Sequence, residues 1–341
     1  MAITAGYDVG GAHLKVALAE NGRTIAVRQI ACPLWKGLDT LDAAFAAANP
    51  LTARADRHAV TMTGELCELF PDRRTGVAAI LERLQAILPP GIRIWMGRRG
   101  LGRIDDAHAD PMSVASTNFL ASAVLVGRKV QEALLIDMGS TTTDIIAIAG
   151  GKPAPLGITD GDRLASGALV YTGLTRTDVS VVARRAAFRG RAQRLAAGGF
   201  ANMADVRRIL GTLPPDVDQH ATLDGRGTSV QESIARFARC FGRDAADAAT
   251  DDWRACAREV ADQQIAEVRA AILEVLSASA LPASAPIVAA GIGVAEIEVQ
   301  AAVLGRASIS FGTLTSASPD CSEWATRCAP AVAVALLAND V

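Results

Sequence analysis

The sequence predicts an α/β fold of two lobes, built twice on one hairpin unit, with a helical elaboration of the second lobe. Three observations support it. The stretch YDVGGAHLKVALAENG (7–22) repeats in design as IDMGSTTTDIIAIAGG (136–151). A strand, the turn Gly291-Ile292-Gly293 and a helix follow one another in 285–305. The chain has 341 residues, 50% of them hydrophobic, which is enough for two buried cores rather than one.

The first hairpin opens on an apolar strand ending at Asp8-Val9-Gly10. A second strand follows (LKVALAE), then Asn21-Gly22, a two-residue turn pair, then a third strand (TIAVRQI). The second copy runs Asp137-Met138-Gly139, TDIIAIA, Gly150-Gly151 and PAPLGI, offset by 129 residues. In both copies the turn begins thirteen residues after the aspartate. Between the copies, helices are expected at 39–48, 72–88 and 113–127, with a strand at 92–97. After the second copy a largely helical region runs from about 160 to 280, with helices at 202–211, 228–241 and 252–279. A last helix, from 322 towards the C-terminus, is expected to return to the first lobe. The lobes are assigned to 1–128 and 129–321.

Net charge is −2 and no lysine tract exists, so neither nucleic acid nor an anionic membrane is an expected partner. The chain shows no basic, apolar leader, and its most apolar run, APAVAVALLA (329–338), is half the ~20 residues of a membrane span. A cytoplasmic location is therefore expected. The six cysteines are scattered; Cys321 and Cys328 match no zinc spacing and read as free thiols.

Two matched Asp-Gly hairpins suit two phosphate loops facing one cleft. Backbone N–H groups in such turns cradle anions. This assigns Gly10, Gly11, Gly139, Ser140, Thr141 and Thr142 to phosphate. Asp8 and Asp137, with Asp144, would repel a bare phosphate, but fit Mg²⁺ held largely through water. Lys15, one of only four lysines, would add a point charge. The Gly291–Gly293 turn, before a helix N-terminus, is a third anion site. Set against these is the plain reading of glycines serving turn geometry.

These stretches resemble the sugar kinase, actin and Hsp70 superfamily, with DVGGAHLK as its first phosphate loop, DMGSTTTD as its second and AAGIG as its adenosine turn. The resemblance implies a two-lobed actin-like, ribonuclease H-like duplicated fold. DMGSTTTDI is similar to the hydantoinase and oxoprolinase branch. Within it, TMTGELCELFPDRRTGV (61–77), ASTNFLASA (115–123), GALVYTGLTRTDV (167–179) and GGFANMADVRRILGTLP…DGR (198–226) resemble proteins of tetrahydromethanopterin-linked one-carbon metabolism, similar to the methanofuran-biosynthesis synthase. That resemblance implies a Mg²⁺-assisted transferase. The phenol oxygen of tyrosine, tyramine or a γ-glutamyl derivative displaces pyrophosphate from an aminomethylfuran methyl diphosphate, giving methylofuran or methanofuran precursors.

Further candidates lie in these motifs. Glu65 and His13 are candidates for the base that takes the phenol proton. Lys15 serves the leaving diphosphate. Asn118, Tyr171 and Arg176 are candidates for substrate binding. Ile292, between the two glycines, adds bulk where an adenine ring would lie, which favours a diphosphate on a smaller body. The rival readings are an ATP-dependent hydrolase or kinase, and a nucleotide switch or filament protein. Expected partners are small molecules, with a homodimer left open.

Overall fold

A computed structural model describes residues 2–339. The first sheet comprises β1 (Ile3–Val9), β2 (His13–Glu20), β3 (Arg23–Ala31), β4 (Arg57–Met62), β5 (Arg93–Trp95) and β6 (Leu101–Arg103), in the order β3-β2-β1-β4-β5-β6. The second begins with β7 (Ala133–Met138), β8 (Thr143–Ala149), β9 (Lys152–Pro153) and β10 (Leu169–Val170). A separate hairpin, β11 (Arg185–Phe188) and β12 (Arg191–Arg194), follows. β13 (Ile287–Ala290) and β14 (Ser308–Ser310) complete the second sheet, ordered β10-β8-β7-β13-β14 with β9 also on β8.

The duplication extends beyond the hairpins. In each sheet an antiparallel hairpin (β1–β2, β7–β8) is followed by two parallel neighbours (β4–β5, β13–β14). This is the two-lobed, actin-like α/β architecture the sequence predicts. Both hairpin turns use two residues at positive φ: Asn21 and Gly22 at 51° and 71°, Gly150 and Gly151 at 56° and 71°. That pairing matches the right-handed twist of the flanking strands.

Three expected elements differ. The third strand of the second copy shrinks to Lys152–Pro153, because Pro153 and Pro155 remove backbone donors from PAPLGI. The helix expected from 113 starts at Asn118, after a short 3₁₀ turn at Pro111–Ser113. The C-terminal helix is two, Pro319–Arg327 and Ala329–Asn339, broken at Cys328; positions 340 and 341 lie outside the described residues. The second of these helices packs on β1, β2 and β4 and against the helix Asn118–Gly127. It approaches closely because the facing residues are small: a Cβ on Gly6 would collide with the carbonyl of Ala331.

The elaboration has a core of its own, in which Phe237, Phe241 and Trp253 pack together. It is not separate from the lobe. One 29-residue helix, Thr250–Ala278, buries Trp253 and Val260 in that core and Val268 and Ile272 in the core under the second sheet. All six cysteines are free thiols. No described helix is long and apolar enough to cross a membrane.

Candidate active site

The two hairpin loops close in the same way: Gly10 N–H donates to His13 O at 3.0 Å and Gly139 N–H to Thr142 O at 2.9 Å. Between them lies a cleft of about 260 Å³. Its lining includes Asp8, Gly10, Gly11, His13 and Lys15 from one lobe and Asp137, Gly139, Ser140, Thr141, Thr142 and Asp144 from the other. Asn118, Tyr171 and Arg176 also line it, Tyr171 at the rim with 58% of its surface exposed.

Register sets the charges on the cleft floor. Asp8 faces Lys15 across β1–β2, and Lys15 Nζ lies 3.5 Å from Asp8 Oδ2. Asn118 Nδ2 donates to the other oxygen of Asp8 at 3.4 Å. In β7–β8 the same positions hold Asp137 and Asp144. Asp144 is neutralised by an ion pair with Arg163. Arg163 is buried, lies 3.7 Å over the ring of Phe119 and also approaches Asp160. Asp160 in turn meets Arg73 of the first lobe at 3.3 Å. Asp137 has no hydrogen bond or ion pair among the described residues. Burial, offset in part by Lys15 and reinforced by Asp144 and Asp8, raises its pKa to about 7. Burial also opposes the charge on Lys15, but Asp8 and Asp137 outweigh it and the ammonium's pKa rises.

Mg²⁺ fits this floor in one form. Among the described residues no three His, Cys, Asp or Glu side chains converge on one point. Two of the three carboxylates expected to be ligands, Asp8 and Asp144, already face Lys15 and Arg163. Asp137 alone lacks a partner, and a carboxyl held near 7 beside other carboxylates is relieved by a cation. One carboxylate with the hydroxyls of Ser140–Thr142 nearby suits an ion that keeps most of its waters.

The outer end of the cleft joins distant segments. The backbone N–H of Arg176 donates to Ser140 O at 2.8 Å, which fixes its origin beside the second hairpin. Its guanidinium crosses to the first lobe and lies 4.6 Å over the ring of Trp35. It has no hydrogen-bond or ion-pair partner among the described residues. His220 packs on His13 with ring centroids 4.6 Å apart, and on Trp35 at 5.4 Å. The loop carrying His220 is tied to β3, since Gln29 Nε2 donates to Val217 O and Gln219 Nε2 to Gln29 O, both at 3.2 Å. Its other end is held by the buried Arg236, paired with Asp205 at 2.7 Å and Asp224 at 3.0 Å.

Some expected roles change. His13 lines the cleft, but burial, then His220, Lys15 and Arg176, drive its pKa down to about 2. An imidazole that neutral serves as a hydrogen-bonding group, not as the base for a phenol of pKa ~10. Glu65 does not line the cleft; it is buried behind Ser116, whose Oγ donates to Glu65 Oε1 at 2.8 Å. The amides of Gly291 and Gly293 donate to Thr326 O and Met138 O, both at 2.9 Å, and neither residue lines the cleft. These glycines serve close packing: a Cβ on Gly291, at φ +83°, would collide with Met138 O and with Asp137. Ile292 points into the core of the second lobe and narrows no ligand seat. The sequence reading missed Trp35, Ser116, Asp160, Arg163 and His220. Ser116 lies within the stretch ASTNFLASA, and Asp160 and Arg163 stand three apart on one helix, which are local signals; the partners of Trp35 and His220 are too far along the chain for one.

The hydantoinase/oxoprolinase family pattern matches residues 56–337. A protein of Methanocaldococcus jannaschii, named (4-{4-[2-(gamma-L-glutamylamino)ethyl]phenoxymethyl}furan-2-yl)methanamine synthase, is 31% identical over 240 residues, 70% of this chain and 71% of that protein. A protein of the same name from Methanococcus vannielii is 31% identical over 119 residues, 35% of this chain and 53% of that one. Among solved structures, nucleotide-free acetone carboxylase superposes with a TM-score of 0.60 at 11% identity, covering 97% of this chain and 70% of the other. That last likeness speaks to fold alone. The chain belongs to the hydantoinase/oxoprolinase family.

Proposed function

We propose that the chain is a transferase of methylofuran or methanofuran biosynthesis. It joins an aminomethylfuran methyl diphosphate to the phenol of tyrosine, tyramine or a γ-glutamyl derivative and releases pyrophosphate. The observation that carries this reading is the likeness, over 240 residues, to a synthase whose product name contains a phenoxymethyl-furan linkage. The cleft supports it, because one floor cation and two hairpin loops suit a leaving diphosphate.

In this reading the furan oxygen stabilises positive charge developing on the methylene as the diphosphate leaves. Lys15 and the hairpin amides other than those of Gly10 and Gly139, which close the loops themselves, hold the departing oxygens. Asp137, with Ser140 to Thr142, would hold Mg²⁺ through water, and the ion supplies further neutralisation of the diphosphate. Arg176, lying over Trp35 without an acceptor, suits an anionic group of the second substrate. Asn118 and Lys15 keep Asp8 oriented at the floor.

The alternative is an ATP-dependent hydrolase or kinase, and the burial of Ile292 removes the sequence argument against it. The deciding experiment incubates the protein with Mg²⁺, the furan methyl diphosphate and each phenol, without nucleotide. Mass spectrometry detects the ether and a coupled assay the pyrophosphate. Ether and pyrophosphate in equal amounts support the transferase. No ether until ATP is added, with ATP consumed, supports the alternative.

A further inference from the structure

Ser116 is a serine in the left-handed region, at φ +51°, and it lines the cleft while almost wholly buried. A non-glycine residue there is strained and persists only when its surroundings fix it. Behind it Glu65 is 1% exposed. One carboxyl oxygen accepts from Ser116 and the other, Oε2, is buried with no partner among the described residues. A buried carboxyl with an orphan oxygen is costly, and a neutral side chain of the same shape would fit more cheaply. Glu65 sits on the 3₁₀ turn Gly64–Leu66 directly after β4. Gly76 of the helix Arg73–Ile87 packs against its backbone, where a Cβ would lie 2.8 Å from Glu65 O. The geometry is thus held from both sides.

We propose that Ser116 takes the proton of the attacking phenol while passing its own to Glu65. This rests on the transferase reading above. The phenol O–H bond breaks and a bond forms between the phenol oxygen and the furan methylene. The methylene's bond to the diphosphate breaks, and the diphosphate leaves with that electron pair. The phenol proton goes to Ser116 Oγ, and the proton of Ser116 goes to Glu65 Oε1. Glu65 ends neutral and later returns its proton to water through the same hydroxyl. Ser116 is the catalytic residue, because it lines the cleft and Glu65 does not; Glu65 acts through it.

The surroundings suit the task. Burial raises the pKa of Glu65, and the hydrogen bond from Ser116 opposes that only in part. The other titratable groups facing it are Asp160, which adds to the rise and is itself met by Arg73 and Arg163, and the Cys67 thiol. A carboxylate held above its usual range is a stronger base once ionised.

The test uses Glu65→Gln and Ser116→Gly, the latter chosen because glycine relieves the strained φ. Each should lower the turnover of ether formation by about 10²–10⁴-fold, with little change in KM for the diphosphate ester. Ser116→Gly should stay folded, because relief of the strained φ offsets part of the cost of leaving Glu65 without its donor. The wild-type rate should rise with pH to a plateau, with a midpoint above the usual carboxylate range, and Glu65→Gln should abolish that limb. Wild-type rates in either variant, or an unchanged pH profile in Glu65→Gln, overturn the relay. Infrared difference spectra of the Glu65 carboxyl give a reading independent of turnover. Ser116→Gly should move its titration upward, because the ionised form loses its donor. If wild-type protein makes no ether, the reaction reading fails, and the infrared shift still decides whether the two residues share a proton; no shift overturns it.

Discussion

The ammonium of Lys15 lies 3.5 Å from the carboxylate of Asp8 because the two residues stand opposite each other in the β1–β2 ladder. The second hairpin keeps the ladder position and changes the charge: Asp144 stands where Lys15 does, opposite Asp137. Duplication therefore gave one cleft two unlike walls. The first is self-neutralised. The second is doubly acidic, and Arg163 neutralises only one of its two carboxylates.

Lys15→Ala should lose turnover by about 10²–10³-fold, the scale of removing one preorganised contact to developing charge. It should also lower the thermal midpoint, since Asp8 and Asp137 lose their nearest cation. The loss of stability should be larger at pH 8 than at pH 5, where Asp137 is protonated and no longer needs that cation. Steady-state rates and melting curves at both values check this. Turnover close to wild type would remove the phosphate role of the first hairpin.

Asp137→Asn should be more stable than wild type at pH 8, with the difference shrinking as pH falls and vanishing only near pH 4, in Mg²⁺-free buffer. The folded-state pKa, about 7, is above the ordinary 3.8. The folded protein therefore holds this proton more tightly, and stability is lost as pH rises from about 4 through about 7. The amide removes that dependence. At 1.36 kcal/mol per unit that shift is worth at most about 4 kcal/mol, so the gain in midpoint at pH 8 is at most roughly 6 °C. Added Mg²⁺ should raise the wild-type midpoint at pH 8 and leave the variant unmoved. A wild-type midpoint indifferent to Mg²⁺ would count against the metal reading.

Much of this fold was legible because its signals are local. Asn-Gly and Gly-Gly turns between apolar strands fix a hairpin within twenty residues, and their repetition declares the duplication. The cleft was legible in its floor and, through the motifs, at Asn118, Tyr171 and Arg176, but not in the contacts that join distant segments. Ser116 and Glu65 are 51 residues apart, and no short-range pattern brings a serine to a buried glutamate. His220 reaches His13 across 207 residues, through a loop whose only signal is its buried anchors. Gly291 was misread for a physical reason. A Gly-x-Gly turn looks the same whether the missing Cβ makes room for a ligand or for the next strand.

Arg163→Leu should cost about 3–5 kcal/mol, the penalty for leaving a buried charge without its partner. Both Asp144 and Asp160 lose their buried cation, and Phe119 loses the guanidinium stacked on it. Replacing Asp144 with Asn alongside it should recover part of the loss. Chemical denaturation of the single and double variants measures this, and additive losses would show that the pair is not coupled.

Arg176→Ala should raise the KM for a carboxylate-bearing acceptor by roughly 10–100-fold, the range of a charge-assisted hydrogen bond, and affect tyramine far less. The reason is the guanidinium lying over Trp35 with no acceptor among the described residues. Stability should hardly change, since no ion pair is broken. Competition between tyrosine and tyramine gives the ratio directly. An equal loss for both, or a raised KM for the diphosphate ester instead, would move Arg176 to the phosphate end of the cleft.

Gly291 and Ile292 separate the packing role of their turn from a nucleotide role. Gly291→Ala puts a Cβ into Met138 O and Asp137 at a backbone angle that disfavours it, so it should destabilise by about 1–3 kcal/mol or more. Ile292→Ala empties part of the core under the second sheet and should cost about 2–5 kcal/mol. Ile292→Gly removes the side chain and leaves three consecutive glycines at the turn. If the turn were a purine seat narrowed by Ile292, that variant would gain ATP binding. Because the side chain points inward, it should gain none and should melt lower than Ile292→Ala. Isothermal calorimetry with ATP and Mg²⁺ on wild type and Ile292→Gly, read with their melting curves, decides between the two. Nucleotide affinity appearing only in the variant would return the turn to the binding surface.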